Sequence, residues 1–274
     1  MDFLAPLAAE IRKIPPVTRF LCISLVLVTI VTLMNLISMR YAFYHWTLVF
    51  GGLLGVEDGK IQIWRLWSSF FLGSRGLPFI FEIIMLYRTG HELESGPYLR
   101  ASSDLTWQLF IACGAIIITS IPVNSFKFFH PLLLCLVYLS SRLAPPGAQV
   151  SLYGLITIPI IYFPYALLGM DLLNGGPKVA AQSLPGALIG HLWWWAIWSN
   201  DASMGGRGGP YVEYGRAPAL VANWFGERRD GGTNAPGAGR GANSGSGVQV
   251  VPPRRRAEEG APETHGHRWG ADRG

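Results

Sequence analysis

The stretch FLCISLVLVTIVTLMNLISM, residues 20–39, decides the fold class of this chain. Its few interruptions are small or weakly polar side chains, such as Ser24, Thr29 and Asn35. As a helix, a run of about 20 such residues is long enough to cross a hydrocarbon layer about 30 Å thick. The run therefore predicts a membrane-spanning helix. No cleavable signal-peptide pattern precedes it, so we expect this helix itself to direct the chain to the membrane.

The overall composition agrees with a membrane protein and divides the chain in two. Half of the 274 residues are hydrophobic and 14% are charged, whereas charged residues make up about a quarter of a typical soluble domain. The apolar residues are concentrated in the first 200 positions, and the remainder is rich in Gly, Arg, Pro, Ala and Ser. Such a remainder buries too little apolar surface to offset the entropy of ordering. We therefore predict a membrane domain at residues 1–200 and a cytosolic tail at residues 201–274, interfacial at first and then disordered.

Five further apolar runs follow the first. They are Leu77–Gly90, Leu105–Ile121, Phe128–Leu143, Leu152–Leu168 and Gly186–Trp198. Together the runs predict an all-α polytopic membrane protein, a helical bundle with six spans. Several runs are shorter than about 20 residues, so unless the helices extend beyond them they require local thinning of the bilayer or short neighbouring helices.

The distribution of basic residues bears on the orientation of this bundle. Six spans place both termini on the same side of the membrane. Lys and Arg are evenly divided between the two sets of loops, so the loops alone do not decide the orientation. Arg207 and Arg216 lie close to the last span and favour a cytosolic tail, which also places Arg12, Lys13 and Arg19 in the cytosol.

Three segments outside the spans have the composition of a membrane surface. The loop Arg40–Gly76 is rich in Trp and Tyr, which concentrate at headgroup depth. Tyr211–Phe225 has the character of a short surface helix. The basic cluster Arg254–Arg256 favours anionic lipid over nucleic acid as a partner.

Catalytic motifs are incomplete in this sequence. A serine intramembrane protease needs a nucleophilic serine in a Gly-x-Ser-Gly setting and a histidine that accepts its proton. His191 lies in the sixth run, but no Gly-x-Ser-Gly occurs in any apolar run. The only serines of the fourth run, Ser140 and Ser141, have no flanking glycine. The sequence therefore predicts no catalytic residues.

Metal and cofactor sites are also not indicated. His91 and Glu92 begin a His-Glu-x-x-His pattern, but Ser95 stands where the second histidine is required. The three cysteines all lie inside apolar runs, without metal or disulfide spacing, and we interpret them as small apolar side chains. They are Cys22, Cys113 and Cys135.

Four residues within the spans still require an explanation. An ionisable group at membrane depth is costly and usually faces the bundle interior or water. Glu82 therefore either lines a hydrophilic groove, together with His191, or hydrogen-bonds a neighbouring helix. Gly186 and Gly190 have the spacing that lets two membrane helices approach closely.

Several motifs occur together in an order that resembles the derlins, rhomboid-like pseudoproteases of the endoplasmic reticulum membrane. The loop sequence IQIWRLWSSF, residues 61–70, is similar to their Trp-Arg loop motif. Further similarities follow in order along the chain. They are Leu93–Gly96, Gly186–Trp193, Gly205–Arg207 and Pro218–Phe225.

The resemblance implies a six-span rhomboid-like fold with both termini in the cytosol and no protease activity. It implies a role in endoplasmic-reticulum-associated degradation, in which misfolded client proteins leave the membrane alongside a membrane ubiquitin ligase. Short spans that thin the bilayer and a polar groove near Glu82 provide a mechanism. By the same resemblance, Trp64 and Arg65 anchor the first loop, and Gly186 and Gly190 hold the sixth helix against its neighbour.

The end of the chain departs from the resemblance. Many derlins end in a short glycine-rich motif that binds a cytosolic unfolding AAA ATPase. The last residues here read HRWGADRG, 267–274, with the aromatic residue and first glycine but without the second spaced glycine and the leucine. Recruitment of the ATPase by this tail and formation of homo- or hetero-oligomers are left open. The alternative functions are an active rhomboid-type serine protease and a small-solute transporter.

Overall fold

The computed structural model describes residues 11–34, 64–123, 125–152, 156–199 and 208–227, and this part of the chain is predominantly helical. The helices are α1 (Pro16–Leu33), α2 (Trp64–Phe70), α3 (Leu77–Ser95), α4 (Ser102–Ser120), α5 (Phe129–Leu143), α6 (Phe163–Trp198) and α7 (Ala219–Trp224). Two strands, β1 (Gln149–Leu152) and β2 (Ile156–Pro159), lie between α5 and α6. Short 3-10 turns at Ile121–Val123 and Ile160–Tyr162 complete the described elements.

Helix α1 begins earlier than its apolar run predicts. Pro16 occupies its first position, where the missing N–H costs nothing and the fixed φ suits a helix. Arg19, expected to flank the span, therefore lies within the first turn of the helix. The C-terminal end of the predicted run, beyond Met34, lies outside the described residues.

Helices α3 and α4 also extend beyond their apolar runs. Helix α3 continues past Gly90 to Ser95, and its exposed last turns carry the i,i+4 ion pair between Arg88 and Glu92, 2.9 Å apart. Helix α4 begins at Ser102, before the first apolar residue of its run. These two helices therefore extend beyond their apolar runs, which is the alternative to short helices in a thinned bilayer.

The fifth predicted span is wrong in its first half. Strands β1 and β2 pair antiparallel, with Val150 opposite Ile158 and Ser151 opposite Thr157. The β-branched sequence Ile156-Thr157-Ile158 favours a strand, and Pro159 stands at the strand end, where proline is tolerated. The following helix begins only at Phe163, with Pro164 in its first turn.

The sixth predicted span is one part of a longer helix with a break. Helix α6 runs from Phe163 to Trp198, but Gly176 has φ 73° and ψ −175°, a conformation that favours glycine. Pro177 follows and cannot donate to the helical ladder. The second segment of α6 therefore begins at Pro177 rather than at Gly186, and the sixth span is longer than predicted.

Helix α5 is the centre of the described bundle. Residues 131–139 are buried without interruption, so neighbours cover the helix on every face. The most extensive contact between helices joins α5 to α6, and α3 and α2 also pack on α5. At 15 residues, α5 is about 22 Å long.

In the part of the chain that the structure describes, two helices have the length and apolar composition to cross a membrane. They comprise Pro16–Leu33 and the combined segment Ser102–Val123, and Phe129–Leu143 is a shorter apolar helix. Only 33% and 28% of the apolar windows of the first two are buried. Much of their apolar surface therefore faces outward.

Candidate functional site

Glu82 is the centre of a polar cluster inside the bundle. It lies on α3 with only 6% of its surface exposed. Its Oε2 accepts the backbone N–H of Ser74 at 2.8 Å, and its Oε1 accepts the Ser74 hydroxyl at 2.5 Å. The Nε2 of His130, in the first turn of α5, lies 3.1 Å from the same Oε1. The carboxylate thus joins the segment before α3 to the start of α5.

His130 extends the cluster to α6. Its second ring nitrogen, Nδ1, lies 3.4 Å from Oδ1 of Asp171. The other oxygen of Asp171 accepts the Ser183 hydroxyl at 2.6 Å. Because Asp171 precedes the break at Gly176 and Ser183 follows it, the cluster connects both segments of α6 to α5 and α3.

The geometry restricts the protonation state of this cluster. A neutral imidazole donates from one nitrogen only, and its other nitrogen is an acceptor. Both nitrogens of His130 face carboxylate oxygens, so a neutral ring can donate to only one of the two carboxylates, whereas an imidazolium can donate to both.

A cavity of about 90 Å³ lies beside the cluster. Glu82, His130 and Asp171 line its polar side together with Asn174. The remaining lining is apolar and comes from α3, α5 and α6. These residues are Pro78, Phe81, Met85, Leu133, Leu134, Leu167 and Met170. The volume is enough for about three water molecules at liquid density. Water can therefore reach the carboxylates.

His191 does not belong to this cluster, contrary to its predicted grouping with Glu82. Its Nδ1 lies 2.8 Å from the hydroxyl of Tyr138. Tyr138 follows His130 on α5 by about 12 Å, so the two histidines lie at different depths of the bundle. Ser140 donates to Glu92 and Ser141 to the Tyr138 carbonyl, so neither hydroxyl bonds His191.

Gly186 and Gly190 lie where α6 approaches α5. A Cβ on Gly186 would overlap the carbonyl group of Pro131. A Cβ on Gly190 would lie 2.8 Å from the Cys135 carbonyl oxygen and 2.8 Å from Cβ of Tyr138. The two backbones therefore approach more closely than any larger residue would allow.

Trp64 and Arg65 are the first residues of the short helix α2. Arg65 is buried, with 4% of its surface exposed, whereas Trp64 is 57% exposed. Helix α2 is held against the start of α5 because the Phe128 backbone N–H donates to the Ser69 carbonyl at 3.0 Å. The preceding part of the predicted loop, residues 40–63, lies outside the described residues.

The comparisons with known proteins identify the family. The family model of the Der1-like family matches residues 14–208 of this chain. The chain belongs to the Der1-like family. Among similar proteins, Derlin-1 of Oryza sativa subsp. japonica is 32% identical over 193 residues, which cover 69% of this chain and 76% of the relative. Derlin-1 of Homo sapiens is 26% identical over 263 residues, which cover 94% of each protein.

The resemblance to the derlins is thus confirmed, and the matched range of this Der1-like protein contains every site residue predicted from the sequence. Derlin-1 of Arabidopsis thaliana is a further relative, 32% identical over 66% of this chain and 69% of its own length. The active-protease and transporter alternatives gain no support from these relatives.

Sequence reasoning missed the role of Glu94 in this Der1-like protein. Its carboxylate is 3% exposed and accepts the backbone N–H groups of Val17 and Thr18 at 3.0 and 2.9 Å. It also accepts the hydroxyls of Thr18 and Ser102, each at 2.9 Å. Glu94 lies within the Leu93–Gly96 motif. The sequence feature that could have indicated its role is a carboxylate close to the end of a predicted span.

A second missed group contains Gln108 on α4. Its amide oxygen accepts from the Tyr98 hydroxyl at 2.5 Å and from the Trp193 indole at 2.8 Å, while its amide nitrogen donates to the Gly215 carbonyl at 2.6 Å. Gln108 is 4% exposed. It therefore joins α4, α6 and the segment 208–227. In the sequence, Gln108 is a single amide in an apolar run, and this pattern does not reveal its partners.

Proposed function

We propose that this chain is a non-catalytic membrane component of endoplasmic-reticulum-associated degradation, which helps misfolded proteins pass from the endoplasmic reticulum to the cytosol. Membership of the Der1-like family supports the pathway. The observation that carries the molecular role is the Glu82–His130–Asp171 cluster beside a cavity, because buried charge between apolar helices is costly and is retained where polar material is handled.

The proposal places the chain in the endoplasmic reticulum membrane as a six-span protein with both termini in the cytosol. The outward-facing apolar surface of α1 and α4 supports this environment. In water such surfaces would be unusually large for a monomeric protein. Membrane lipid is therefore the first partner of the chain.

Helix α3 supports local thinning of the bilayer as part of the mechanism. Its apolar part, residues 77–87, is about 16 Å long and ends before Arg88, and Ile80 and Ile84 on it are about half exposed. This length is less than a hydrocarbon core about 30 Å thick, so lipid next to it adapts by thinning, at a modest cost per ångström of mismatch. A thinner layer lowers the free energy of moving a polar peptide segment across it.

The polar cluster then provides hydrogen-bonding groups within the thinned region. The carboxylates of Glu82 and Asp171 accept hydrogen bonds from backbone N–H groups or polar side chains of a client segment. Trp64 and Arg65 anchor the segment before α3, and Gly186 and Gly190 keep α6 close to α5 so that Asp171 remains within reach of His130.

The absence of catalysis in this proposal rests on the surroundings of His191. Its ring nitrogen is 2.8 Å from the Tyr138 hydroxyl, and neither serine of α5 bonds it. Without a serine at hydrogen-bond distance among the described residues, the histidine has no nucleophile there to activate. The role requires no cofactor or metal.

Misfolded endoplasmic reticulum proteins are the proposed clients. A membrane ubiquitin ligase and a cytosolic AAA ATPase are the proposed protein partners, and further copies of this chain or a related one are proposed neighbours in the membrane. Direct contact between the ATPase and the tail at residues 267–274 is the least supported of these, because two elements of the expected motif are missing.

A translation-shutoff chase tests the proposal. A misfolded membrane client is followed in cells that lack their own derlins and express this chain. We expect restored decay of the client, and we expect the variant His191→Ala to restore it equally because no proteolysis is involved. Clients that remain stable although the chain reaches the endoplasmic reticulum would exclude the degradation role.

A further inference from the structure

Arg142 lies in the last turn of α5 and is held by aromatic side chains. Its Nε and Nη2 donate to the hydroxyl of Tyr138 at 3.2 and 3.0 Å. Its guanidinium carbon lies 5.3 Å from the ring centroids of both Tyr138 and Trp194. Cation–π contacts and a neutral hydroxyl orient the side chain but leave its positive charge in place.

No carboxylate neutralises this charge within the described residues. No ion pair of Arg142 occurs there, and its Nη1 has no hydrogen-bond partner in that part of the chain. The nearby Glu92 is engaged by Arg88 at 2.9 Å and by the Ser140 hydroxyl at 3.2 Å. The negative end of the α5 dipole offsets only part of a full charge. A half-buried guanidinium of this kind is suited to an external anion.

A cavity of about 670 Å³ opens beside Arg142. Trp194 and Trp198 of α6 line it on one side, and the turn at residues 145–148 and Ile161 line it on the other. Arg142 is the one charged side chain of this lining among the described residues, so its guanidinium gives the cavity a positive wall.

The position of the cavity in the fold indicates where the anion comes from. It lies where α3, α5 and α6 end. In membrane proteins, Trp and basic residues concentrate at this level, the interface between membrane and water. Basic pockets between membrane helices at this level accept lipid headgroups. A guanidinium donates two parallel N–H groups and so matches a phosphate group, which accepts on several oxygens.

We propose that this cavity binds the phosphate group of a phospholipid, with the Arg142 guanidinium as the donor. The acyl chains leave the cavity over Ile161, which is 51% exposed. The inference rests on the proposed membrane location of the chain but not on its role in degradation. Bound lipid would fill the space between α5, α6 and the two strands and stabilise this end of the bundle.

Native mass spectrometry of the purified full-length chain in detergent tests the proposal. Dioleoyl phosphatidic acid is titrated, and dioleoylglycerol, which has the same acyl chains without phosphate, is the control ligand. We expect retention of phosphatidic acid only, and Arg142→Gln weakens it about tenfold or more because it removes the charged donors. Arg216→Gln is the matched control, because Arg216 is exposed and does not line the cavity, and it leaves affinity unchanged.

A second variant keeps the test valid if Arg142→Gln unfolds the chain. Arg142→Lys keeps the positive charge but removes the planar fork of N–H donors, and we expect a loss of about threefold. Equal retention of dioleoylglycerol, no loss in both variants, or an equal loss in Arg216→Gln would overturn the proposal. Displacement of the lipid by millimolar inorganic phosphate would assign the site to phosphate from solution, whereas retention assigns it to the lipid headgroup.

The degradation role is measured separately, so the two failures are distinguishable. A chain that binds phosphatidic acid but does not restore client decay would exclude the proposed function alone. A chain that restores decay without binding the lipid would exclude only the phosphate site.

Discussion

Thr18 donates both its backbone N–H and its hydroxyl to the carboxylate of Glu94, and each hydrogen bond is 2.9 Å long. The contact joins the start of α1 to the end of α3, and Val17 and Ser102 donate to the same carboxylate. The first backbone N–H groups of a helix have no partner within the helix, and a negative charge there is favourable. A side chain from another helix therefore caps α1.

Removal of this cap should destabilise the whole bundle. We expect Glu94→Ala to lower the free energy of unfolding by about 2–4 kcal/mol, because four donors lose a buried charged acceptor. Thermal unfolding of the detergent-solubilised chain measures the change. Glu213→Ala is the control, since Glu213 is exposed, and its effect should stay within about 0.5 kcal/mol. Equal effects of the two variants would contradict the capping role.

Replacement of His130 should leave the carboxylates of Glu82 and Asp171 without the imidazole that lies between them. We expect His130→Leu to lower the free energy of unfolding by about 1–3 kcal/mol, less than for a fully buried pair because the side chain is 36% exposed. Adding Glu82→Gln and Asp171→Asn should recover part of the loss by removing the unpaired charges. His91→Leu, at an exposed position of α3, serves as the control. Additive effects of the three cluster substitutions would show that the groups do not interact.

The close approach of α5 and α6 should not tolerate a side chain at Gly186. Gly186→Ala puts a methyl group into the Pro131 carbonyl, so we expect a lower unfolding temperature. Gly114→Ala is the matched control, because nothing lies within 4 Å of its added Cβ. Alanine there should be neutral or stabilise α4 by up to about 1 kcal/mol. A higher unfolding temperature for Gly186→Ala would disprove the close packing.

The segment 208–227 should loosen when its contacts with α4 are removed. Asp104 accepts the Ala217 backbone N–H at 2.9 Å, and Gln108 donates to the Gly215 carbonyl at 2.6 Å. We expect Asp104→Ala to accelerate tryptic cleavage after the exposed Arg216, because the flanking backbone is released. Glu213→Ala is the control. Unchanged cleavage would mean that the remaining contacts are sufficient.

The first-loop motif should be required for client decay. In the translation-shutoff assay we expect Trp64→Ala and Arg65→Ala to abolish clearance while the chain remains expressed. Trp67→Ala is the matched control for Trp64, because both indoles are largely exposed on α2. Clearance at the normal rate by both motif variants would refute the assignment of Trp64 and Arg65.

The helical elements were largely predictable because their signals are local. An apolar run of sufficient length predicts a helix whatever its neighbours are, and the predicted bounds of α5 agree with the structure within one residue. The charged ends of α3 and the polar start of α4 were missed because apolar composition does not extend into them. Strands β1 and β2 were missed because an apolar, β-branched segment fits either a short strand or a helix.

The sequence by itself determined membership of the Der1-like family, the apolar runs and the glycines whose missing side chains permit close packing. Only the tertiary structure decided which polar groups meet. Asp171, before the break at Gly176, lies beside His130, whereas His191, after the break, lies beside Tyr138 instead of Glu82. Composition and spacing describe one helix at a time, whereas a side-chain partner depends on the relative rotation and depth of two helices. That relation is fixed by packing over the whole bundle.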